Sequence, residues 1–125
     1  MAIKVTYKDN DLTIFTIIDE LNMDELMALL QSIYQEKPTL NFLWDIRKGS
    51  IKQLSSENLA QIATFVKSVS GRRQAGRTAF VVARDVDYGI GRMLDAYGEN
   101  EGLPIETRVF RNYVEAVVWL ERKLE

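Results

Sequence analysis

Ile3, Val5 and Tyr7 alternate with polar residues, and Leu12, Ile14 and the run Thr16-Ile17-Ile18 resume the same two-residue period after a break. Lys8-Asp9-Asn10-Asp11 fills the break with side chains that favour tight turns, so the pattern predicts an antiparallel hairpin. From Asn22 the period becomes helical: Met23, Leu26, Leu30, Ile33 and Tyr34 share one face. Asn22 is placed to cap this helix, with Glu25 three residues on placed to reach back, and Pro38 ends it. Leu40 to Ile46 then reads as a strand covered on both faces, because its apolar run is nearly continuous.

A polar loop is expected from Arg47 to Leu54, and Ser55 is expected to cap a second helix that buries Leu59, Ile62, Ala63, Val66 and Val69 and stops at Gly71. Thr78 to Ala83 is the clearest buried strand. Asp85 is expected to cap a third helix with Val86, Ile90, Met93, Leu94 and Tyr97 inward, ended by Gly98 and Gly102. A strand from Ile105 to Phe110 follows. Asn112 and Glu115 then open a last helix burying Tyr113, Ala116, Val117, Leu120 and Leu124. The order β-β-α-β-α-β-α-β-α predicts an α/β fold: a five-stranded, mostly parallel sheet with an N-terminal antiparallel hairpin and four helices. No linker or low-complexity tract divides residues 1–125, so one domain is expected.

Composition narrows the chemistry. The 125 residues include no cysteine and no histidine, which removes thiolate nucleophiles, the commonest general base and the commonest transition-metal ligands. No metal or cofactor is expected. The net charge of −2 lacks the basic excess of a nucleic-acid-binding protein. No apolar run approaches the roughly 20 residues of a membrane span, and the alternating N-terminus lacks the apolar core of a signal peptide. The expected location is the cytoplasm.

Several local patterns carry a resemblance. They are the opening hairpin, Leu43-Trp44-Asp45-Ile46-Arg47, Gly76-Arg77-Thr78-Ala79-Phe80-Val81-Val82, Tyr88-Gly89-Ile90-Gly91-Arg92-Met93, Arg108-Val109-Phe110 and Ala116-Val117-Val118-Trp119-Leu120. Over its whole length the chain resembles the SpoIIAA-like family of the STAS superfamily, named for anti-sigma-factor antagonists and the cytosolic domains of sulfate transporters. The resemblance implies a SpoIIAA/STAS-like fold and a regulatory or interaction module without catalytic activity. Regulatory members carry Asp-Ser-Ser-Gly where the chain enters the second helix, with a serine phosphorylated. The matching segment here is Leu54-Ser55-Ser56-Glu57, so Ser55 and Ser56 are the implied phosphorylation candidates, with Leu54 and Glu57 as departures.

Ligands of parallel α/β sheets sit beyond the carboxyl ends of the strands. That edge should collect Asp45, at a strand end, with Arg47, Ser55, Ser56, Arg84, Asp85, Tyr88 and Arg92, beside helix N-termini that favour an anion. An Asp45–arginine pair, with Ser55 and Asp85 as plain caps, accounts for the same residues without a ligand. The glycines of Tyr88-Gly89-Ile90-Gly91 interrupt a helix instead of following a first strand, so they predict close packing, not a nucleotide loop. Arg72, Arg73 and Arg77 lie at the opposite end of the sheet; Arg72 and Arg73 are expected to be solvated beside the end of the second helix. Trp119 lies off the main apolar face of the last helix, with Phe15 and Ile18 undecided, and is expected to be exposed as an interface residue of a homodimer. Three functions remain open. The first is a non-catalytic module acting by protein contact or on a small anionic ligand. The second is an apolar or lipid-like ligand held between sheet and helices. The third is an enzyme using Asp45 or Asp85 as base.

Overall fold

The computed structural model describes residues 2–73 and 76–121. In chain order the elements are β1 (Ile3–Lys8), β2 (Leu12–Glu20), α1 (Met23–Gln35), β3 (Asn41–Ser50), α2 (Ser56–Val69), a 3-10 turn (Ser70–Arg73), β4 (Arg77–Val81), α3 (Asp85–Glu101), β5 (Glu106–Phe110) and α4 (Tyr113–Glu121). The sheet runs β1-β2-β3-β4-β5, antiparallel only between β1 and β2. The expected element order and strand directions are therefore those observed. Leu124 lies outside the described residues.

Topology decides which face each helix covers. The crossovers through α1, α2 and α3 all step the same way across the sheet, and right-handed crossovers stepping one way stack on one face. Phe15, Phe42, Trp44 and Ile46 meet Leu26, Leu30, Tyr34, Leu59 and Ile62 there. α4 follows the last strand and alone covers the other face, where Leu43, Ala79, Val81 and Phe110 pack on Ala116, Trp119 and Leu120. All four helices begin at the carboxyl edge of the parallel strands, as the connections require.

Two expectations are corrected here. β3 continues through Ser50 where a polar loop was expected, because β2 runs on to Glu20 and pairs Ile18, Asp19 and Glu20 with Lys48, Gly49 and Ser50. The ladder shifts register between Thr16 and Ile18, so β3 fits one extra residue at Ile46–Arg47 and bulges. In α3, Val86 and Met93 face solvent. The helix is turned so that Gly91 meets the sheet, where an added Cβ would lie 2.9 Å from a Val109 methyl.

Asp87, in the first turn of α3, is fully buried and fixes this edge. Its Oδ1 accepts from the Ser50 hydroxyl at 2.8 Å and the Ile51 N–H at 2.9 Å, while Oδ2 has no partner among the described residues. The caps are simpler. Asn22 accepts from the Glu25 N–H at 2.8 Å and Asn112 from the Glu115 N–H at 3.0 Å. Glu25 reaches back not to Asn22 but to the Ala2 and Ile3 N–H groups. Asn22→Ala and Asn112→Ala are each expected to cost about 1 kcal/mol in denaturant melts. Asp87→Ala is expected to cost about 2 kcal/mol or more, since it strands a buried hydroxyl and a buried N–H. Equal losses at all three positions would show that Asp87 is no more than a cap.

Candidate functional site

The bulge in β3 shapes the centre of the carboxyl edge. Asp45 lies within β3, not at its end as expected, opposite Val81, the last residue of β4. The bulged Arg47 N–H turns to Asp45 Oδ1 at 3.2 Å, and the guanidinium grips both carboxylate oxygens, Nε to Oδ1 and Nη2 to Oδ2, each at 2.9 Å. Burial alone would raise the Asp45 pKa, but the Arg47 hydrogen bonds and charge outweigh it and hold the carboxyl below its ordinary value. Half-exposed Arg47 also lies 4.6 Å over the ring of Tyr113, the first residue of α4.

A second group of the same kind stands beside it. Asp85 is the first residue of α3 and not its cap; Arg84 holds the cap position and supplies no side-chain hydrogen bond. The exposed Asp85 carboxylate pairs at 2.7 Å with Arg111, whose guanidinium lies 4.5 Å over the Tyr88 ring. Arg111 and Tyr113 were missed as edge residues. Their sole sequence signal was their place just after β5, flanking the Asn112 cap. Arg92 is exposed further along α3 and makes no ion pair among the described residues. The edge thus brings together Asp45, Arg47, Tyr113, Asp85, Arg111 and Tyr88 as two carboxylate–arginine–tyrosine stacks.

Ser55 caps α2 in a reciprocal box: its hydroxyl accepts from the Asn58 N–H at 3.1 Å, and the Asn58 side chain accepts from the Ser55 N–H at 3.0 Å. Ser56, next in line, is exposed, while Leu54 turns inward and is buried. Among the described residues no three acidic side chains converge as a metal site requires.

The opposite end of the sheet corrects two further readings. Arg73 is buried, and Arg72 bonds the Tyr34 and Gln35 carbonyls at the end of α1, not of α2, because the 3-10 turn carries the chain across α1. Trp119 is 8% exposed, not the solvent-facing residue expected. Buried Arg77 donates to its carbonyl at 2.6 Å and lies 5.2 Å over its ring, while the Phe110 ring packs against the Trp119 ring with centroids 5.6 Å apart. Phe15 is also fully buried, stacked on Trp44 at 4.1 Å, whereas Ile18 points outward.

Between the sheet and the three-helix layer lies a cavity of about 90 Å³. Phe42, Trp44, Phe80 and Ile62 line it with Leu54 and Leu94, and its few polar walls are Tyr34, Arg73, Thr78 and Thr107.

A depressed aspartate stabilises the fold above its ordinary value of 3.8 and loses that contribution as pH falls through the lower folded value. Asp45→Asn is therefore expected to be about 1 kcal/mol less stable than wild type near neutral pH, since the half-exposed partner limits the gain. The difference should shrink in urea melts as pH falls below 3.8 and vanish once the folded carboxyl is protonated. A difference that persists there would assign the loss to packing.

No family model matches the chain, and no curated protein matches it. Solved structures do. The anti-sigma factor antagonist from Mycobacterium paratuberculosis shares 14% identity over 96% of this chain and 93% of its own, with a TM-score of 0.62. The anti-sigma factor antagonist SpoIIAA in its unphosphorylated form shares 11% identity over 99% of this chain and 100% of its own, with a TM-score of 0.63. No helix among the described residues is long and apolar enough to cross a membrane. The SpoIIAA-like fold expected from the sequence is the fold that this chain shares with these two structures.

Proposed function

We propose that this chain is a non-catalytic regulatory module that acts by protein contact through the carboxyl edge of its sheet. The observation that carries this reading is the fold, shared end to end with two anti-sigma factor antagonists. The chemistry of the edge agrees. A general base needs a carboxylate free to take a proton near neutral pH, and both oxygens of Asp45 are engaged by an arginine that favours its ionised form. Asp85 is solvent-exposed and paired, without the desolvated setting a base requires. Half-exposed arginines lying on tyrosine rings are instead the groups enriched where proteins meet.

Ser55 and Ser56 are the modification candidates in this reading, and they differ. The Ser55 hydroxyl is the helix cap, so phosphorylation there would replace the box with Asn58. Ser56 is exposed at the first position of α2, where a phosphate gains from the helix dipole without disturbing the cap. Affinity capture with wild type, the double variant Arg47→Glu/Arg111→Glu and the control Arg92→Glu tests the surface. Proteins held by wild type and control but lost from the folded double variant are expected. The same proteins on all three would exclude this edge, and a low-molecular-weight anion lost in their place would make it a small-ligand site.

Self-association as a homodimer belongs to the same reading, with Val114 and Val118 taking the place of buried Trp119. They stand one turn apart on α4 at 67% and 57% exposure. Sedimentation of wild type and Val118→Asp at matched concentration should show a dimer that the substitution weakens. A wild type monomeric at high micromolar concentration would remove the homodimer.

A second reading, a site for an apolar or lipid-like small molecule, is favoured by one observation, the apolar cavity under α1, α2 and α3.

A further inference from the structure

Arg73 lies on the wall of that cavity, 2% exposed, and pairs with no carboxylate among the described residues. Its surroundings are neutral. Nε and Nη2 donate to the Leu40 carbonyl at 3.2 and 3.0 Å, and Nη2 also donates to the Arg77 carbonyl at 2.8 Å. Nη1 donates to the Tyr34 hydroxyl at 3.3 Å, and the guanidinium lies 3.8 Å over the Phe42 ring. A guanidinium has five N–H donors, so one Nη1 hydrogen is left over. These contacts clamp the end of α1 to the starts of β3 and β4. They do not cancel the charge, and buried charges are ordinarily paired.

Tyr34 and Phe42 touch Arg73 in the same cavity wall, which Thr78 also lines. The cavity wall therefore offers a cation and a phenol side by side. Apart from Thr78 and from Thr107, whose hydroxyl donates to Asp95, the other walls offer hydrocarbon and aromatic faces. We propose that the cavity binds a small apolar monocarboxylate, its carboxylate on Arg73 Nη1 and the Tyr34 hydroxyl and its hydrocarbon against Trp44 and Ile62. This rests on the cavity reading above and names its ligand class.

The energetic argument concerns desolvation. Burying an ion pair usually fails because both ions must be stripped of water. Here one has already been stripped in folding, and the fixed fork of arginine suits a carboxylate. A volume of about 90 Å³ is several times the ~10–15 Å³ one water needs, and it restricts the ligand to a short chain or a single ring.

Hexanoate, 1-hexanol and hexylamine, titrated into the intact protein by calorimetry near neutral pH, test the assignment. Hexanoate is expected to bind roughly 10-fold or more tightly than hexanol, as a charge-assisted bond exceeds a neutral one, and hexylamine not measurably. Hexanoate should shift the indole N–H resonance of Trp44, which faces the cavity, and not that of Trp119 on the other face. In Arg73→Met the preference for hexanoate should disappear while hexanol binding stays. The wild-type series decides alone where that variant does not fold. Equal binding of hexanoate and hexanol would overturn the role of Arg73 and leave the cavity reading standing. No binding of either at millimolar concentration would overturn both. A preference unchanged in Arg73→Met, or a shift at Trp119, would place the carboxylate elsewhere.

Discussion

Asp87 is a carboxylate with no solvent, and the carboxyl edge is arranged around it. One oxygen takes the Ser50 hydroxyl and the Ile51 N–H, which fastens the last residue of β3 to the first turn of α3. The other oxygen has no partner among the described residues, a cost that surrounding structure must absorb. Fixing Ser50 holds the extended part of β3 against β2, and so holds the bulge that turns the Arg47 N–H toward Asp45. It also fixes where the chain leaves for Ser55. The two arginine–tyrosine stacks and the serine pair stand on a platform that this carboxylate anchors from below.

The two faces of the sheet are packed differently. On the α4 side, Leu43, Ala79 and Val81 are completely buried beneath one short helix, and Arg77 and Phe110 close the gap around Trp119. On the other side three helices share a wider surface, and their ridges leave the cavity between Phe42, Trp44 and Phe80. The imbalance follows from topology: three crossovers stepping one way load one face, and the chain has one helix left for the other.

What the sequence made legible was local. Strand and helix periods gave the element order, and Asn22, Ser55 and Asn112 marked helix starts because a cap is decided by residues three apart. Arg47-Lys48-Gly49-Ser50 reads as a loop because nothing in it shows that β2 continues alongside. Arg73 reads as solvated because its burial depends on the carbonyl of Leu40, distant in the chain. In the third helix Val86 and Met93 read as inward because they are apolar, while the side that packs carries Asp87 and Gly91 together with Ile90, Leu94 and Tyr97. Four of the six edge residues, Asp45, Arg47, Asp85 and Tyr88, were legible from their positions alone. Arg111 and Tyr113 were not, since only the fold brings them beside Asp85 and Arg47.

The edge and the cavity are not separate devices, and Leu54 is where they meet. Its side chain forms part of the cavity wall, its N–H is held by the Ile51 carbonyl at 3.0 Å, and the next residue is the cap of α2. Ile51 in turn is tied to Asp87. The cavity wall thus includes the same short segment that positions Ser55 and Ser56. Under the proposed readings, a ligand favouring one placement of Leu54 would bias the edge, and by reciprocity a partner bound at the edge would bias the cavity equally. Leucine at this position, where regulatory members of the resembling family carry aspartate, gives the serine pair a hydrophobic foot in the interior.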